Sequence, residues 1–132
     1  MGKDKMGIKR KSSLLGSFRH AAAGFLDAVR HERAMRIHLV AAALAIALGI
    51  WIGLDRWEWV AIALCCSSVI ALECANTAME ALVDLASPEI HPLAKKAKDC
   101  AAGAVLAAAV GAAAVGGMIF LPKLVALMQC AP

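Results

Sequence analysis

Four polar side chains interrupt an otherwise apolar stretch: Glu73, Asn76, Glu80 and Asp84, at spacings of three, four and four. At about 100° per helical residue they fall within a stripe roughly 80° wide on one helix face. A charged side chain deep in a bilayer costs at least about 2.5–3.5 kcal/mol, so such a stripe in an apolar helix points to chemistry rather than packing. Carboxylates offer two kinds of chemistry there. One can accept the proton of a hydroxyl, and others can hold a hard cation such as Mg²⁺ together with substrate phosphates.

Further polar groups fall at the same level of the chain. Glu32 sits in Arg30-His-Glu-Arg33, His91 lies between two prolines, and Lys98-Asp99 precedes a long uncharged run. Carboxylates on two elements can share one Mg²⁺, and a nearby lysine neutralises phosphate charge. There is no GxxxxGK[ST] and no GxGxxG, so a nucleotide site of the common soluble types is excluded.

The elements that must position these groups follow from composition. The 132 residues are 61% hydrophobic yet carry 14 Lys+Arg and 10 Asp+Glu. Soluble domains run near 45–50% apolar, so a membrane protein of one domain (1–132) is expected, and disorder or a disulfide scaffold is excluded. The five cysteines are odd in number and include no CxxC. They read as small apolar packing residues.

The apolar runs divide the chain into a basic tail (1–11), an amphipathic interfacial helix (12–35), a first span (36–54), a second (57–86), a cytoplasmic loop (87–98) and a third span (99–122). Leu14, Leu15, Phe18, Ala22, Phe25, Leu26 and Val29 recur at three- and four-residue steps, the period of an amphipathic helix that either lies in the membrane interface or packs on a partner. Each later run approaches the roughly 20 residues that cross a bilayer. Pro88 and Pro92 predict a helix end near Ser87. The glycines 103, 111, 116 and 117 suit close helix–helix contact in the third span.

Basic residues crowd the first 36 positions and Lys95–Lys98, which places the N-terminus and the 87–98 loop on the cytoplasmic side and the C-terminus outside. Trp51, Trp57 and Trp59 bracket the outer turn as an interfacial belt would. The long basic start followed by a full-length span does not read as a cleavable signal. The net charge of +4 comes without aromatic interleaving, so no nucleic-acid partner is expected. From Trp57 inward, Glu73 lies about 24 Å along the axis, near the inner edge of the hydrocarbon, and Glu80 about 35 Å, at headgroup level.

At these residues the sequence resembles a known family. The runs Glu73-x-x-Asn-Thr-Ala-Met-Glu80-x-x-Val-Asp-Leu85 and His91-Pro-Leu-Ala-Lys-Lys-Ala-Lys98-Asp-x-Ala-Ala-Gly-Ala-Val-Leu106 are similar to the small prokaryotic integral-membrane diacylglycerol and undecaprenol kinases. Ser17-Phe-Arg with Gly24, Glu32-Arg-x-Met-Arg-Ile-His38 and Phe120-Leu-Pro-Lys123 extend the resemblance to about residues 17–124. It implies an all-α homotrimer of three-span protomers with shared active sites, phosphorylating a lipid alcohol from ATP with Mg²⁺ at the cytoplasmic face of the cell membrane.

The resemblance also implies roles. Glu73 is the catalytic base and, with Asn76, meets the lipid substrate; Glu32 and Glu80 are metal ligands that also face the nucleotide. His20, Glu89, His91, Lys98 and Asp99 are further nucleotide contacts. His20 stands where some relatives have tyrosine, and Ala102 where the diacylglycerol branch has serine. The wording Asn-Thr-Ala, His-Pro-Leu-Ala-Lys and Phe-Leu-Pro-Lys is nearer the undecaprenol kinase branch. Undecaprenol is therefore the expected acceptor and diacylglycerol the alternative. From a different class, a small proton-coupled exporter would also carry an intramembrane glutamate, but would place it near midplane and add a fourth span.

Overall fold

A computed structural model of the chain describes residues 14–89 and 91–129. The basic tail and Ser12 lie outside the described residues. Four helices follow one another: α1 (Leu14–His31), α2 (Arg33–Ile52), α3 (Arg56–Ala86) and α4 (Pro92–Gln129). The last three are long and apolar enough to cross a membrane. Most of their large apolar side chains, among them Leu44, Ile50, Leu64, Leu106 and Val110, are exposed on the protomer, as helices solvated by lipid require.

Helix lengths decide where the polar groups stand. The 20 residues of α2 extend about 30 Å, one hydrocarbon thickness. With 31 and 38 residues, α3 and α4 extend about 46 and 57 Å. Asp84 near the end of α3 and Lys95, Lys98 and Asp99 in the first turns of α4 stand about the α3–α4 turn.

Each junction has a local cause. Glu32 adopts an extended conformation (φ −93°, ψ 120°) and separates α1 from α2 by a single residue. Buried Ala28 and Met35 flank it. The helix therefore breaks at residue 32, four residues before the expected start of the first span. At the other end of α2, Gly53 takes the left-handed conformation (φ 76°), and its N–H and that of Leu54 donate to the Gly49 carbonyl. Asp55 then caps α3. Its Oδ1 accepts from the N–H groups of Trp57 (2.7 Å) and Glu58 (3.0 Å), while Glu58 Oε2 accepts from the Asp55 N–H (2.8 Å).

The main interface joins α3 to α4, with α2 against α3 and α1 touching both α2 and α3. Leu54, Ile62 and Phe120 form the buried cluster at the end remote from the α3–α4 turn, and Leu48, Trp59, Cys66 and Leu124 pack around it. Trp51 and Trp57 point outward, but Trp59 does not join them in a belt. Its ring covers Gly49, where an added Cβ would stand 2.9 Å from Trp59 Cη2 and 2.8 Å from Leu54 Cδ1.

Two expectations change at α4. The helix begins at Pro92 rather than near residue 99, because His91 Nδ1 accepts the Leu93 N–H at 3.2 Å and proline is suited to the first helical position. Asp99 therefore lies two turns inside the helix, and much of the expected 87–98 loop is helical. A Cβ added at Gly103 or Gly111 would meet open space, and one at Gly116 or Gly117 only a side chain of the same helix, so no neighbouring helix of the protomer packs closely on these positions.

Candidate active site

The period of α3 places Glu73, Asn76 and Glu80 on successive turns of the face turned toward α2 and α4. Glu73 is buried, with 3% of its surface exposed, and it is the one buried charged residue among those described. Asn76 Nδ2 donates to Glu80 Oε1 at 3.0 Å. That bond leaves Asn76 Oδ1 buried with no hydrogen-bond partner. Thr77 Oγ1 donates to the Glu73 carbonyl at 3.1 Å, which ties its side chain back to α3.

A cavity of about 250 Å³ opens beside this face, lined by Ala34 and His38 of α2, Glu73 and Asn76 of α3, and Ala102, Val105, Leu106 and Ala109 of α4. Apart from His38, Glu73 and Asn76 its walls are apolar. A pocket that is mostly hydrocarbon with a few convergent polar groups suits an amphiphile with one reacting hydroxyl.

A second cavity, about 200 Å³, lies at the α3–α4 turn between Val83, Asp84, Ser87, Pro88, Glu89, His91, Ala94, Lys95 and Lys98. It unites three of the expected nucleotide contacts, Glu89, His91 and Lys98. Lys98 Nζ is 2.5 Å from Asp84 Oδ1 across the turn. Lys95 pairs with Asp99 one helical turn on, so Asp99 reaches this cavity's edge through a lysine that lines it. Ser87 Oγ donates to the Glu89 carbonyl at 3.1 Å and shapes the turn. Two lysines, a histidine and a helix N-terminus can receive an anion at this mouth, where it would compete with the carboxylates Asp84 and Asp99 that pair the lysines and with Glu89. His20 stands on α1, exposed, and lines neither cavity.

Metal fit can be judged from donor chemistry. Among the described residues, no group of three or more His, Cys, Asp and Glu side chains converges as a metal cage. Mg²⁺ needs no such cage, since it is usually held by one or two carboxylates together with substrate phosphates and water. Glu32, Glu80 and the unpartnered oxygen of Asn76 supply hard oxygen donors of that kind, so the residues present fit the ion.

His38, Asp84 and Lys95 were not among the site residues expected from sequence. His38 carried a signal, being an ionisable side chain two residues past Arg36 at the start of a span that is then uncharged to Leu54. Asp84 was legible as the last member of the stripe. The pairing of Asp84 with Lys98, 14 residues on, depends on the turn between helices and left no mark in the sequence.

Residues 19–120 match the family described as prokaryotic diacylglycerol kinase. The chain is 44% identical over 108 residues to an undecaprenol kinase of Bacillus subtilis (strain 168), covering 82% of this chain and 88% of the relative. It is equally 44% identical over 117 residues to a diacylglycerol kinase of Synechocystis sp., covering 88% of this chain and 67% of the relative. A diacylglycerol kinase of Pseudomonas aeruginosa is 34% identical over 102 residues, covering 77% of this chain and 80% of the relative.

Proposed function

This chain belongs to the prokaryotic diacylglycerol kinase family, and from that premise we propose that it transfers the γ-phosphoryl group of ATP to undecaprenol at the cytoplasmic face of the membrane. It is a lipid kinase of the membrane, and the exporter reading falls with the family assignment. The observation that carries the finer reading is Glu73: a buried carboxylate on a membrane-spanning helix, lining a largely apolar cavity with Asn76.

In this reading the lipid hydroxyl enters the cavity beside Glu73. The carboxylate accepts the hydroxyl proton as the oxygen attacks the γ-phosphorus. The bond to the β,γ-bridging oxygen breaks, ADP leaves, and the products are the lipid monophosphate and ADP. Glu32, Glu80 and the Asn76 oxygen would hold Mg²⁺, which neutralises phosphate charge when bound. Lys98, His91 and Glu89 line the nucleotide's approach, with Asp99 holding Lys95 at its edge. Most of the acceleration comes from holding the two reactants in line and stabilising charge.

Phosphates carry charge and the acceptor is hydrocarbon, so the two reactants meet only where the membrane ends. The long α3 and α4 span that boundary, with Glu73 on the hydrocarbon side and Lys98 on the wet side. The same reading places the N-terminus and the α3–α4 turn in the cytoplasm and the C-terminus outside, lays amphipathic α1 in the interface, and assembles three protomers around shared sites. The extensive apolar surface left exposed on the protomer supports the placement of the helices in lipid.

Diacylglycerol is the second reading, favoured by the Synechocystis relative, which is as similar as the undecaprenol kinase. Purified protein in vesicles with Mg²⁺ and γ-labelled ATP, given undecaprenol and diacylglycerol in parallel, tests both. Label entering the lipid phase faster with undecaprenol is the expected result. Preference for diacylglycerol moves the assignment to the second reading, and no label with either lipid rejects both.

A further inference from the structure

His38 is a half-buried imidazole within α2 that is shared by two cavities. One is the 250 Å³ chamber with Glu73 and Asn76. The other is a groove of about 460 Å³ between α2, α3 and α4, which passes Ala45, Cys66, Ala113 and Gly116 and ends at Phe120 in the opposite half of the span. Apart from His38 its walls are apolar or cysteine. His38 thus stands where the chamber that holds Glu73 and Asn76 adjoins an apolar groove.

An ionisable side chain inside a span is costly unless it serves a site. Imidazole is able both to donate and to accept, so it can hold a hydroxyl oxygen while a neighbouring carboxylate takes the proton. The groove and the chamber share His38 and Ala109 in their linings, and His38 is the one polar residue common to both. An amphiphile with its hydroxyl at Glu73 and its tail toward Phe120 must pass His38 at the join of head and tail.

We propose that His38 orients the hydroxyl of the lipid alcohol toward Glu73, and that the first part of the hydrocarbon tail lies in the groove between α2, α3 and α4. The inference rests on the lipid-kinase reading and deepens it. A groove of about 460 Å³ lined by apolar side chains and two cysteines beyond His38 suits one hydrocarbon chain, which favours a one-chain alcohol of the polyisoprenoid class over a two-tailed glycerolipid. His38 is here a substrate-orienting residue, and Glu73 remains the base.

The test uses the full-length protein in vesicles, with a long-chain and a short-chain prenol as acceptors and oligomeric state recorded for each variant. His38→Ala is expected to lower kcat/KM for either prenol about 100-fold, the scale of a misplaced reactant, while the KM for ATP stays within about twofold. His38→Gln, which restores a donor and an acceptor, recovers about tenfold, and His38→Phe does not. Ala113→Phe, which fills the groove from an exposed position, lowers kcat/KM several-fold more for the long prenol than for the short one.

Unchanged prenol kinetics in His38→Ala, or equal loss in the Ala, Gln and Phe variants, overturns the orienting role. A uniform effect of Ala113→Phe on both prenols, or dissociation of the oligomer, assigns the groove to a neighbouring copy and overturns the tail track. Failure of the wild-type protein to phosphorylate any lipid alcohol is a separate result that rejects the lipid-kinase reading itself.

Discussion

The Asn76 amide nitrogen donates to Glu80 Oε1 at 3.0 Å, one helical turn away on α3, and its own oxygen is left buried without a partner. The amide thereby fixes the Glu80 carboxylate and offers an acceptor oxygen toward the same space. Truncation to Asn76→Ala removes both effects. Loss of such a supporting group usually costs about 10–100-fold in metal affinity, so the Mg²⁺ concentration for half-maximal lipid phosphorylation should rise by that factor. A Mg²⁺ titration at saturating lipid reads it, and an unchanged midpoint would show that Asn76 does not serve the ion.

Glu73→Gln keeps the shape of the buried side chain and removes its basicity. Turnover should fall at least about 10²–10⁴-fold, the contribution of a positioned general base, while helicity and oligomer size in detergent stay at wild-type values. Near-normal labelling of lipid by this variant would falsify the assignment of Glu73 as base.

Lys98 and Asp84 bridge the α3–α4 turn at 2.5 Å, and the Asp84 side chain is well exposed. Exposed pairs contribute about 0–1 kcal/mol, so neither Lys98→Met nor Asp84→Asn should move the melting temperature far. Their effects on nucleotide should differ. Lys98→Met removes a cation from the anion-receptive mouth and raises the KM for ATP about tenfold, the equivalent of about 1.4 kcal/mol. Asp84→Asn releases Lys98 and leaves that KM equal or lower. Steady-state kinetics at two ionic strengths distinguishes the two, since a charge effect weakens with salt.

Asp55 caps α3 outside the membrane-spanning helices, and the backbone N–H of Glu58, with that of Trp57, holds its carboxyl below the ordinary range. A carboxyl depressed by folding stabilises the protein above its unfolded value, and the stabilisation is lost as pH falls through the folded one. Thermal stability should therefore be flat above pH about 5 and decline below about 4. Asp55→Asn, which still accepts hydrogen bonds, should flatten that decline. Melting curves from pH 3 to 7 compare the two proteins.

Gly49 lies under Trp59 and Leu54, where a Cβ would approach both within 3 Å. Gly49→Val should lower unfolding stability by about 1–3 kcal/mol, the usual penalty for overpacking. Gly103→Ala, at a position with open space around it, should not. Denaturation of both variants in mild detergent provides the comparison.

Much of the arrangement was legible in the chain itself. Apolar runs fix the spans because backbone polar groups in lipid must be satisfied within a helix, and a run of about 20 apolar residues has no other stable conformation. The helical period then fixes that Glu73, Asn76 and Glu80 share a face. Neither inference needs a neighbour, so neither needs tertiary structure. Tertiary packing decided the remainder. It turned Trp59 inward over Gly49, left Gly103 and Gly111 without a partner within the protomer, and started α4 at Pro92 so that Asp99 lies inside a helix. It also set His38 opposite Glu73 and joined Asp84 to Lys98. These relations link side chains on different helices, and the distance between two helices depends on the shapes of all the residues between them. A sequence read in one dimension carries each of those shapes but not their sum.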